Sequence, residues 1–184
     1  MARLLIAYGT TEGQTAKIAA HIGDAARRVG LEVAVCPAAE IDEAEPARYD
    51  AIVVGGSLHD GRYQRAVRDF VARHRELLAA RPSAFFSVSL AAASRDPAER
   101  AEAMRIARDF TAAAGWTPRQ IASFAGALKY TQYSWLKRAL MKHIARKEGG
   151  DTDTSRDFEY TDWDDVTRFA EAFAREVAAG AAAG

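Results

Sequence analysis

Short apolar runs alternating with longer segments of helical period constrain this chain more than any other feature. The runs are Arg3 to Tyr8, Leu31 to Cys36, Ala51 to Gly56, Ser83 to Leu90 and Ile121 to Leu128. Around Ile52, Phe85 and Phe124 both sides of the strand are apolar, as expected where helices cover both faces of a sheet. Between the runs lie amphipathic faces. Ile18, Ala19, Ile22, Ala26 and Val29 form the first; Ala66, Val67, Phe70, Val71, Leu77 and Leu78 the second; Met104, Ala107, Thr111 and Ala114 the third. The last face, Val166, Phe169, Ala170, Phe173, Ala174 and Val177, is the most regular, and Thr161 three residues before Asp164 reads as its capping box. Strand–helix alternation of this kind requires right-handed crossovers and an open parallel sheet, the doubly wound α/β class.

At 184 residues the sequence predicts one domain, 1–184. The Pro37–Tyr49 stretch is short, acidic and proline-punctuated, and predicts the weakest helix; the Ala/Gly tail from Ala178 to Gly184 predicts fraying. Lys129 to Asp157 is too long for an ordinary connection and reads as an insertion with its own chemistry.

Formal net charge is +0, so the overall field selects no nucleic acid, and local clusters must carry any electrostatic role. The single cysteine, Cys36, ends an apolar run and reads as a buried strand residue. It allows neither an intramolecular disulfide nor a multi-cysteine metal site, and fits a reducing, cytoplasmic setting. Leu4 to Tyr8 is too short for a signal-peptide core, and no stretch approaches the roughly 20 apolar residues of a spanning helix. Contact with a membrane is therefore expected to be peripheral.

The first strand runs directly into Gly9-Thr10-Thr11-Glu12-Gly13-Gln14-Thr15, and helix follows by Ala16. A turn at a helix N-terminus exposes unpaired backbone N–H groups at the positive end of the helix dipole. With the hydroxyls of Thr10, Thr11 and Thr15 they can wrap a phosphate without lysine or arginine. Gly-Gln-Thr replaces the Gly-Lys-Ser/Thr of a Walker loop, and the three glycines of a dinucleotide fingerprint are missing. A pocket for a monophosphate remains, or else a capped turn with no ligand.

Tyr8 to Thr15, followed by Ala19 and Ile22, resembles the flavodoxin signature: an aromatic residue, Ser/Thr, Gly, Thr, Ala and an aliphatic residue at fixed spacing. Ala7 is smaller than the residue usual at its position. The resemblance implies a five-stranded parallel sheet of order 2-1-3-4-5 and FMN as cofactor. Thr10, Thr11, Glu12, Gly13, Gln14 and Thr15 would lie at its phosphate. In such a sheet ligands sit beyond the carboxyl ends of the strands, at the switch between strands one and three. The third strand ends in Ser57, Leu58, His59, Asp60, Gly61, Arg62 and Tyr63, where His59 or Tyr63 would stack on or hydrogen-bond to the flavin ring. His59 alone also reads as a solvated loop histidine. The fourth ends in Val88, Ser89, Leu90 and Ala91, a wall of mostly small residues. Flavodoxins often bracket the ring with aromatic side chains; this loop supplies none, which leaves the far face of the ring open to bulky substrates.

Several stretches resemble one branch of that superfamily, the menaquinone-dependent protoporphyrinogen oxidases. They are Thr11 to Thr15; Asp60 to Tyr63 with Phe70-Val71; Pro82 to Leu90; Phe124 to Tyr130; Gly149 to Thr154; and Tyr160 to Trp163. The resemblance implies dehydrogenation of protoporphyrinogen IX to protoporphyrin IX, with menaquinone or ubiquinone as acceptor and the flavin carrying the chemistry. No catalytic acid or base is assigned, and no metal site. Within the insertion, Trp135 to Lys147 predicts a helix with Leu136, Leu140 and Ile144 on one side and Lys137, Arg138, Lys142, Arg146 and Lys147 around the rest. Tyr130, Tyr133 and Trp135 precede or open it. Such a helix fits an anionic membrane surface, a clamp on tetrapyrrole propionates, or a solvated helix packed on its own domain. It is more polar than the family's helix, so membrane insertion is not expected. Arg62, Tyr130, Trp135, Lys137, Arg138 and Lys142 are the candidate substrate or membrane residues. An electron-transfer flavodoxin and an NAD(P)H-dependent FMN quinone reductase are the competing readings. The neutral charge and basic insertion argue against the first, and no nicotinamide-phosphate site is legible for the second.

Overall fold

A computed structural model describes residues 1–42, 45–128, 141, 146, 153 and 155–183. The parallel sheet has order β2-β1-β3-β4-β5, from β1 (Arg3–Gly9), β2 (Glu32–Pro37), β3 (Ala51–Ser57), β4 (Ser83–Ser89) and β5 (Gln120–Ala125). All four pairings are parallel, with Leu4 opposite both Val33 and Ala51. The sheet and its order are those expected from the sequence.

The period-two alternation of the strands sorts their side chains into two cores. Leu4, Ile6, Val53 and Phe86 face α1 (Gln14–Val29) and α5 (Trp163–Ala183), against Ile18, Ile22, Val166 and Phe173. Leu5, Ile52, Val54 and Phe85 face α2 (Arg65–Arg73), α3 (Arg75–Ala80) and α4 (Pro97–Ala113), against Val67, Phe70 and Trp116. Every residue of β3 and β4 is buried, which is why these strands read as continuous apolar runs.

The structure corrects five local expectations. The single apolar face from Ala66 to Leu78 belongs to two helices, broken at buried His74, whose ring packs on Phe70 at 4.7 Å. Cys36 is half-buried rather than buried, because β2 is an edge strand with one neighbour. The helix expected after β2 is a single 3-10 turn, Pro46–Arg48. The fifth strand ends at Ala125: the chain turns at Gly126, and β6 (Ala127–Leu128) pairs antiparallel with β7 (Phe158–Glu159). Lastly, Asp162 rather than Thr161 caps α5, its Oδ1 accepting from the N–H groups of Asp164 and Asp165 at 3.0 and 3.1 Å. Thr161 is committed elsewhere, donating to the Ala125 carbonyl at 2.7 Å.

β6 and β7 close the base of the insertion, so its two ends leave the sheet side by side next to β5. Tyr130, Tyr133, Trp135, Lys137, Arg138 and Lys142 lie outside the described residues. Met141 and Arg146 are described and helical.

Candidate functional site

Beyond the carboxyl ends of β1, β3 and β4 lies a cavity of about 380 Å³. This is the place where a doubly wound sheet binds ligands: α1 leaves β1 toward one face and α2 leaves β3 toward the other, and a crevice opens between them. Thr10, Glu12, Gln14 and Thr15 line it from the first loop, Ser57 to Gly61 from the second, and Val88 to Ala91 from the third.

The first loop is shaped by Gly13 at φ 89°, a left-handed conformation that costs a residue with a Cβ. Its N–H donates to Thr10 Oγ1 at 2.9 Å, which tightens the turn. The first helical bond runs from Lys17 N–H to Gly13 O at 3.2 Å, and no side chain caps the helix. Gln14 and Thr15 are 5% and 1% exposed, yet Gln14 Oε1 and Thr15 Oγ1 have no hydrogen-bond partner. Buried polar atoms are nearly always paired, so two orphans at an uncapped helix N-terminus point to a ligand with acceptor oxygens for Thr15 and a donor for Gln14.

The second loop folds back as a hairpin. His59 and Arg62 exchange N–H to carbonyl bonds of 3.0 and 2.9 Å across Asp60 (φ 48°) and Gly61 (φ 73°), the two positive φ values of a type I′ turn. Leu58 N–H donates to Val88 O at 2.8 Å and ties this loop to β4. Gln64 joins the first two loops. Its Oε1 accepts from Ser57 N–H at 3.1 Å, and its Nε2 donates to Thr11 Oγ1 at 3.0 Å and to Ser57 Oγ. The third loop is held by Ala92 N–H donating to Ser89 Oγ at 3.2 Å and Gly126 N–H to Ser89 O at 3.0 Å.

Most of the residues chosen from sequence meet here, but Thr11, Gly13, Arg62 and Tyr63 do not line the cavity. Thr11 is engaged by Gln64, and Gly13 shapes the turn. Arg62 sits exposed on the hairpin. Tyr63 turns inward: it is 4% exposed, donates its hydroxyl to Ser87 Oγ at 2.9 Å and packs on Phe85 and Phe110. Burial pushes its phenol pKa up to about 12, opposed by the bond to Ser87. His59 is the sole ring-bearing side chain in the lining, among the described residues.

Sequence reasoning missed Ile106, Gly126, Ala127 and Met141, which also line the cavity, and Gln64, which buttresses it. For Ile106 a signal existed: it is an aliphatic residue off the stripe that α4 buries through Ala103, Ala107 and Thr111. No local pattern marks Gln64.

The base of the insertion is bonded to the same site. Gln14 Nε2 donates to Thr161 Oγ1 at 2.9 Å, and Tyr160 N–H to Gly126 O at 3.1 Å. Lys17 Nζ reaches Glu159 Oε2 at 3.2 Å, and Trp163 Nε1 donates to Glu159 Oε1 at 3.0 Å. Burial works against the Glu159 carboxylate, but bonds from Trp163, Lys17 and Gln14 outweigh it and hold the pKa below its ordinary value. Among the described residues no cluster of three His, Cys, Asp or Glu side chains is arranged to hold a metal, and no helix is long and apolar enough to cross a membrane.

Residues 5–155 match the family model described as a flavodoxin domain. A protoporphyrinogen IX dehydrogenase [quinone] of Escherichia coli K12 is 37% identical over 96% of this chain and 94% of its own length. A protein of the same description from Leishmania major is 36% identical over 94% of this chain and 74% of its own. Among solved structures, a flavodoxin of Streptococcus pneumoniae TIGR4 superposes with TM-score 0.60 at 17% identity, over 97% of this chain and 99% of its own. Flavodoxin 1 of Bacillus cereus gives 0.58 at 16%, over 95% and 98%.

Proposed function

The chain belongs to the flavodoxin-domain family and shares it with the protoporphyrinogen IX dehydrogenases [quinone], and on that premise we propose that it binds FMN and oxidises protoporphyrinogen IX to protoporphyrin IX with a quinone as acceptor. The observation that carries the flavin half is the uncapped start of α1, with Thr15 Oγ1 buried and partnerless in the lining of the cavity.

The residues present fit FMN. The free N–H groups at the start of α1 and the Thr15 hydroxyl supply donors for a phosphate, with no cation required. Gln14 Oε1 supplies the acceptor that a ribityl hydroxyl would satisfy. The second and third loops line the rest of the cavity with Leu58 to Gly61 and Val88 to Ala91, the residues that would hold a flat ring. When bound, the flavin supplies a reversible acceptor of two electrons, the chemistry that dehydrogenation with a quinone oxidant requires. Those loops would hold the ring, and Gln64 keeps the first and second loops in fixed relation.

Arg62, with Lys137, Arg138 and Lys142 of the insertion, is assigned to the carboxylates of the substrate or to anionic lipid headgroups. Menaquinone or ubiquinone is the expected acceptor. Because such quinones are lipid-soluble, the reading places the protein in the cytoplasm, working against the inner face of the membrane. The test is anaerobic. Protein loaded with FMN should be bleached by protoporphyrinogen IX and regain its yellow colour on addition of a quinone. Protein that takes up no FMN ends the scheme. Bound flavin that protoporphyrinogen fails to bleach leaves an electron shuttle or, if NAD(P)H bleaches it, a nicotinamide-dependent quinone reductase.

A further inference from the structure

The flavin-binding reading accounts for the three strand-end loops but leaves part of the cavity wall without a role. Ile106 projects from α4, half-buried, and Met141 comes from the insertion; neither belongs to those loops. Met141 is seated on Leu128 together with Leu90, Phe158 and Tyr160, so the insertion delivers an apolar side chain to the cavity. The charges around Ile106 are engaged with one another, since Arg105 bonds both Glu102 and Asp109. Three of the lining residues, Leu90, Ile106 and Met141, carry no hydrogen-bonding side-chain group apart from a thioether.

A wall of that kind selects flat apolar faces, the feature a tetrapyrrole core and a quinone ring share. Methionine re-packs readily around occupants of different outline. A second depression, formed by Lys17, Ala20, His21, Asp24 and Trp163, has no lining residue in common with the cavity. We infer that Ile106 and Met141, with Leu90, form one docking wall on which the tetrapyrrole and the quinone bind in alternation, and that Ile106 sets the affinity for both. This inference rests on the proposed oxidoreductase reading. The conversion removes six electrons and six protons and so takes three turns; in each, two electrons and two protons leave the macrocycle and appear on one quinone, which departs as the quinol.

The test uses equilibrium binding to the oxidised FMN-loaded protein, so that no turnover is needed. Protoporphyrin IX, the oxidised product, and a short-chain naphthoquinone are each titrated while the flavin absorbance is followed, and then competed. The expected result is mutual exclusion, with Ile106→Ala weakening both ligands roughly ten-fold in protein kept saturated with FMN. Ile106→Met should recover most of the loss for both. Simultaneous binding, or an effect of Ile106→Ala on one ligand alone or on neither, overturns the shared wall. Wild-type protein that takes up no FMN overturns the underlying reading instead, and the inference falls with it.

Discussion

Replacing Thr15 by valine should move the free and the flavin-loaded protein in opposite directions. The swap keeps the branched shape and exchanges a hydroxyl for a methyl group at a position 1% exposed. In the free protein that hydroxyl has no partner. An unsatisfied buried polar group costs about 1–3 kcal/mol, so removing it should stabilise by at least the lower figure. For a chain of this size about 1 kcal/mol raises Tm by roughly 2–4 °C. In the proposed FMN complex the same hydroxyl would donate to the phosphate, and a hydrogen bond to a charged group contributes about 1.5–3 kcal/mol. FMN affinity should therefore fall roughly ten- to hundred-fold. Riboflavin, which lacks the phosphate, should bind wild type and variant equally. Differential scanning calorimetry of the free protein and fluorescence titration with both flavins read the two arms. A variant less stable when free, or one that loses FMN and riboflavin alike, would refute the assignment of Thr15 to the phosphate.

Two further outcomes follow from the geometry. Tyr63→Phe removes a buried bond to Ser87. It should cost about 1–3 kcal/mol in urea unfolding while FMN affinity stays constant; a selective loss of FMN would restore the tyrosine to the flavin site. Glu159 has a folded-state pKa below its ordinary value near 4.5, so its contribution is fully present above that value and is lost as pH falls through the lowered pKa. The indole N–H resonance of Trp163, bonded to Glu159, should shift in that acidic window, and a titration centred above 4.5 would contradict it.

Much of the site was legible because it is contiguous. Thr10 to Thr15 forms one turn of neighbours in sequence, and β3 and β4 end at Ser57 and Ser89, each within one residue of the end of its apolar run. Tyr63 shows the limit of that reasoning. An aromatic residue two after a glycine in a ligand loop reads as a ring partner, yet the hairpin at Asp60-Gly61 reverses the chain and sends it toward Phe85 and Phe110. Thr161 shows the same limit, since its spacing to Asp164 fits a cap while its hydroxyl is claimed by a carbonyl on β5.

Read alone, the sequence prescribes the order of the elements, a parallel sheet covered by helices on both faces, and the tight turn from Thr10 to Thr15. Each of these follows from a short-range period or a run of adjacent residues, whose physics is complete within a few positions. Only the tertiary structure decided that Gln64 bridges two loops, that Ile106 and Met141 enter the cavity, and that Gln14 is bonded to Thr161 at the base of the insertion. Those contacts join residues far apart along the chain, brought together where β1, β3, β4 and β5 end side by side. Local pattern carries no information about them, because their partners are chosen by the sheet.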